Sequence, residues 1–107
     1  ATRIFSSPER KARLESIVIA LSAEARLKSQ RAQDERDAAR IAEGQQSIVS
    51  DEFRCTECHQ FRKPDEDAIA PDLTGYGSRD WLISFIRNPA RPRFFGSRDC
   101  WWRRRAA

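Results

Sequence analysis

The chain has 107 residues, with 20 Lys or Arg against 16 Asp or Glu, and a formal net charge of +4. That length builds one modest core and excludes two domains with cores of their own. Charged residues reach 34% and hydrophobic residues 39%, so part of the chain is expected to be extended or solvated.

Ser7-Pro8-Glu9 reads as a helix start. Ser7 is a capping residue, Pro8 suits the first helical position, and Glu9 favours the positive end of the helix dipole. Leu14, Ile17, Leu21 and Ala25 recur at helical spacing and form one apolar face, with Ser22 marking a kink or break. This stripe lies far in sequence from the chemistry described below. Its face can pack on the domain that carries that chemistry or on a larger parent protein, and the distance in sequence favours the parent. From Ala23 to Gln46 the composition is rich in helix formers. Lys28, Arg31, Asp34, Glu35, Arg36, Asp37 and Arg40 suggest a solvated connector or coiled-coil-like arm. A second helix is expected with Ala38, Ile41, Ala42, Ile48 and Val49 on one face. Gly44 interrupts it at a cost of about 1 kcal/mol relative to Ala, which calls for a packing reason such as close contact with another helix.

Residues 60–80 read as loop, broken by Lys63-Pro64, Pro71-Asp72 and Gly75-Tyr76-Gly77. Ser78 then caps a short helix whose Trp81, Leu82, Phe85 and Ile86 make an apolar stripe, and Asn88-Pro89 ends it. No strand-like alternation, internal repeat, secretory signal or apolar run of membrane-helix length is present. Arg87, Arg91, Arg93, Arg98, Arg103, Arg104 and Arg105 crowd the last stretch, with Asp99 the only acid there. A solvated tail is the plain expectation; steering toward an acidic partner or anionic surface is the functional one. Trp101 and Trp102 lie among these arginines without a nucleic-acid recognition fold around them, so no nucleic-acid partner is expected.

Cys55-Thr56-Glu57-Cys58-His59 has the C-x-x-C-H arrangement of a c-type haem attachment. Two thiols at this spacing reach the two vinyl groups of one porphyrin, and the adjacent histidine lies under the ring to ligate iron. His59 is the only histidine. A structural zinc site would need four ligands, typically with a second paired set, and the third cysteine, Cys100, is isolated. A thioredoxin-like redox pair would need a strand–helix context, whereas the flanks here are a helix and a loop. A Cys55–Cys58 disulfide is the outcome expected of cofactor-free protein in an oxidising compartment.

The stretch from about Ala38 to Pro92 resembles the class I cytochrome c family: a helix carrying Gly44 leads into Cys55–His59, followed by Pro71-Asp72-Leu73-Thr74-Gly75. The stretch Asp72–Phe95 is similar to cytochrome c domains associated with cytochrome b of bacterial quinol–cytochrome c reductases. The resemblance implies an all-α, cytochrome c-like helical haem domain. The cofactor would be a covalent haem c on Cys55 and Cys58, with His59 as axial iron ligand. The Pro71 carbonyl would accept the His59 Nδ1 hydrogen, and Tyr76 and Trp81 would lie at the cofactor.

Expected boundaries are a helical arm or connector over 1–33, the haem domain over 34–95, and a basic, disordered tail over 96–107. The family's methionine ligand and last helix are missing, as in a truncated chain. The initial Ala and the lack of any methionine also fit a processed product or fragment. Cys100 is the candidate substitute sixth ligand.

The function implied is one-electron transfer rather than enzyme catalysis, with no catalytic residues. Partners would be a cytochrome b-type reductase subunit or other redox proteins, with membrane association only through a parent protein or complex. The implied location is the periplasmic side of the bacterial inner membrane. The alternatives are a haem module with an open sixth position that binds small ligands, and a helical interaction fragment without haem.

Overall fold

The computed structural model describes residues 7–95. Among them the fold is all-α: α1 (Pro8–Glu24), α2 (Arg31–Arg36), α3 (Ala38–Ile48), α4 (Arg79–Arg87) and α5 (Pro92–Phe95), with 3₁₀ turns at Lys28–Gln30 and Cys55–Glu57. No described helix is long and apolar enough to cross a membrane.

Helix α1 begins as its sequence suggests. The Ser7 hydroxyl accepts the Arg10 N–H at 3.2 Å and Pro8 occupies the first turn. The helix runs past Ser22 and ends where Arg26 turns into the left-handed region at φ 49°. The chain then returns through the exposed α2, so that α3 crosses α1. Gly44 sits at the crossing. A Cβ built there would lie 2.0 Å from the backbone oxygen of Ser16 and 2.7 Å from the Ala20 Cβ. Glycine is thus required to let the two backbones meet.

This crossing corrects the expected placement of α1. Ile17 and Ala20 share one core with Ile48, Phe61 and Leu73, and Leu14 and Leu21 pack against it. Distance in sequence had suggested a separate arm, but the reversal through α2 brings the stripe back. The boundary drawn between residues 33 and 34 falls inside α2. The buried line on α3 is Gly44, Ser47 and Ile48; Ala38, Ala42 and Val49 lie on its exposed side. On α4, Trp81 turns inward, while Leu82 is 45% and Ile86 77% exposed.

Two carboxylates tie α1 to the rest of the fold. Glu24, at its C-terminal end, is buried; it accepts hydrogen bonds from the Arg62 guanidinium and, at 2.7 Å, from the Gly75 N–H. Gly75 is at φ 68°, a conformation that favours glycine. Near the start of α1, Arg13 grips Glu52 with two hydrogen bonds of 2.7 Å. These bonds hold the Glu52 carboxyl below the usual carboxylate range. A group whose pKa is lowered on folding stabilises the fold above its unfolded pKa, and that contribution is lost as pH falls through the folded value. Wild type should therefore melt above Glu52→Gln at neutral pH. The gap should close as pH drops below the usual carboxylate range, as read by melting temperature against pH. A gap independent of pH would refute the assignment.

Candidate haem-attachment site

The motif begins on a sharp turn. Arg54 adopts φ 57°, uncommon for a residue with a Cβ, and sends the chain into the 3₁₀ turn at Cys55–Glu57. The Cys55 carbonyl accepts the N–H of Cys58 at 3.3 Å and of His59 at 3.0 Å. That folding places both thiols and the imidazole on one short loop. Both thiols are free; Cys58 is exposed, and Cys55 is half-buried against the core. Burial pushes the Cys55 thiol pKa up. Alkylation of the cofactor-free chain should therefore modify Cys58 several-fold faster than Cys55, read by peptide mass spectrometry over time. Equal rates would contradict this placement.

Residues 58–62 and 69–74 lie alongside each other. The Cys58 carbonyl accepts the N–H groups of Ile69 and Ala70, each at 3.0 Å, and the Gln60 carbonyl accepts the Leu73 N–H at 2.8 Å. His59 and Ala70 form a parallel bridge, and the Arg62 N–H donates to the Thr74 hydroxyl at 2.7 Å. Within this ladder, His59 Nδ1 lies 2.7 Å from the Pro71 carbonyl oxygen. A carbonyl only accepts, so the proton sits on Nδ1 and the Nε2 lone pair is left for a metal. His59 also lines an open cleft of about 480 Å³ with Val49, Thr56, Gln60, Phe61, Lys63, Pro64 and Asp65.

The structure thus brings together Cys55, Cys58, His59 and Pro71. Of the expected site residues, His59 is the one that lines this cleft; Cys55, Cys58, Pro71, Tyr76 and Trp81 are not among its lining residues, and Tyr76 and Trp81 belong to an aromatic cluster. Trp81 stacks on Phe85 with centroids 5.4 Å apart and meets Tyr76 and Phe94 edge-on at 4.9 and 5.2 Å. Its indole N–H donates to the Asp72 carbonyl at 2.9 Å, which links the cluster to the loop carrying Pro71. Cys100 lies outside the described residues, as does the basic end from 96 to 107.

Two residues beside the site are not among the expected site residues, although Asp72 belongs to the Pro71–Gly75 stretch that carries the resemblance. Gln60 follows His59, and Asp72 follows Pro71; their side chains meet at 3.1 Å. The Pro-Asp step marked a turn, but nothing in the sequence announced that the Asp72 carboxylate would be buried. Among the described residues, no three or more of His, Cys, Asp and Glu gather where they could hold a metal ion. The chain matches no protein-family model, no curated protein and no solved structure.

Proposed function

We propose that this chain is a class I c-type cytochrome domain, with one haem c held covalently by Cys55 and Cys58 and ligated by His59. The carrying observation is the 2.7 Å contact between His59 Nδ1 and the Pro71 carbonyl, next to two free thiols. A bare structural metal ion asks for about four protein ligands; a porphyrin supplies four nitrogens itself, so one oriented histidine is enough. The donor set fits a haem for that reason.

When bound, the haem would supply a ferric/ferrous couple that accepts and releases single electrons. The residues around it have separate roles. The cysteines anchor the group. Pro71 retains the proton at Nδ1, fixes the ring plane and makes Nε2 a better donor. Val49 and Phe61 give the cleft apolar wall. No residue is assigned a catalytic role. The electron donor would be a cytochrome b-type reductase subunit and the acceptor another redox protein. The site of action would be the periplasmic side of the bacterial inner membrane, where the resembling family acquires its haem; any membrane association would come through a parent protein or complex.

The test is expression alongside a c-type maturation system, followed by a pyridine haemochrome spectrum and a haem stain after denaturing electrophoresis. One c-type haem per chain is expected, with the stain lost in the Cys55→Ala, Cys58→Ala double variant. A chain that folds and emerges without covalent haem would overturn the proposal.

A second reading is a haem module with an open sixth position that binds small ligands. It is favoured by a sequence with one histidine and no methionine. Rapid, tight carbon monoxide binding to the reduced protein supports it, and the absence of binding argues for a strong sixth ligand.

A further inference from the structure

We propose that Asp72 is the positioning residue for the His59 imidazole, holding the Pro71 carbonyl in place through a clamp that reaches α5. The inference rests on the reading of His59 as the ligand. Asp72 is 5% exposed, and every polar group it has is used. Oδ1 accepts the Thr74 N–H at 2.9 Å. Oδ2 accepts from the Gln60 side chain at 3.1 Å and lies 3.5 Å from the Arg93 guanidinium. The Asp72 N–H donates to the Arg93 carbonyl at 2.6 Å, and the Asp72 carbonyl accepts from Trp81 at 2.9 Å.

The peptide unit joining Pro71 to Asp72 contains both the oxygen that holds His59 and the N–H that Arg93 holds. This unit is planar, so fixing the N–H end fixes the carbonyl direction. Gln60 closes the other side, because it joins the residue after the histidine to the residue after the proline. A buried carboxylate with this many partners is costly to leave half-satisfied, which makes the clamp stiff. The imidazole orientation is thereby coupled to α4 through Trp81 and to α5 through Arg93.

The test uses the full chain labelled at its single histidine, with the imidazole nitrogen shifts read by NMR in Asp72→Asn, Asp72→Ala and Trp81→Phe variants. In wild type the neutral ring is expected as one Nδ1–H form. Asp72→Ala should mix the two tautomers, Trp81→Phe should do so partly, and Asp72→Asn, which keeps the acceptor for Thr74, should stay closest to wild type. In haem-loaded protein, a weakened Nδ1 hydrogen bond makes His59 a poorer donor, so the reduction potential should rise in the same order. Unchanged nitrogen shifts in folded Asp72→Ala and Trp81→Phe would overturn the inference. If Asp72→Ala does not fold, the same reading in Trp81→Phe decides. The nitrogen shifts need no haem. Failure of haem attachment in wild type would therefore count against the functional proposal alone.

Discussion

Gly44→Ala is expected to lower the melting temperature by roughly 12–24 °C, the shift that corresponds to about 3 kcal/mol in a domain of this size. On an isolated helix the change would stabilise by about 1 kcal/mol, so the sign reports the crossing and not the helix. The added methyl would sit 2.0 Å from a backbone oxygen of α1. A flexible side chain could swing away, but the Ser16 carbonyl is inside a helix turn and moves only with α1. Overpacking of this kind costs ~1–3 kcal/mol where neighbours yield, and here the yielding group is backbone. Thermal unfolding followed by circular dichroism checks it. A variant as stable as wild type would mean that α1 and α3 do not cross at this point.

Phe94→Ala should cost about 3–5 kcal/mol, the range for deleting a fully buried aromatic ring. Phe94 is 0% exposed, and its ring meets Trp81 and Phe85 edge-on with centroids 5.2 and 5.1 Å apart. Such contacts contribute beyond the area they bury. α5 has only four residues and makes too few internal hydrogen bonds to persist alone. Loss of Phe94 should therefore release α5 together with the Arg93 carbonyl that holds Asp72. Near-UV circular dichroism should show loss of the Trp81 contribution, taken as the difference from a Trp81→Phe variant because the chain has three tryptophans, with the melting temperature falling as well. A drop in stability with the Trp81 contribution intact would count against this route.

Local chemistry was legible in the sequence wherever a single residue type decided the outcome. Ser7 and Ser78 cap their helices, Asn88-Pro89 ends α4, and the C-x-x-C-H spacing marks the loop where the thiols and imidazole meet. The contact of His59 with Pro71 followed from the resemblance and not from periodicity. What escaped the sequence depends on chain reversal. Helical spacing identifies an apolar stripe on α1 without saying what covers it, and the partner proved to be α3. Trp81, Leu82, Phe85 and Ile86 looked like one face, yet a nine-residue helix docked through Trp81 leaves Leu82 and Ile86 outside. Asp72 and Gln60 carry ordinary polar side chains, and only the side-by-side course of 58–62 and 69–74 gives them a role.

The Glu24 carboxylate determines how the unit could be moved between genes. A recombination event that transferred only residues 34–95 would carry the thiols, the histidine and Pro71. It would leave behind the acceptor that Arg62 and Gly75 share, and it would uncover Ile48, Phe61 and Leu73. The smallest heritable block that keeps this packing begins with α1, so shuffling of the motif into new protein contexts would have to bring the helix that precedes it by some thirty residues.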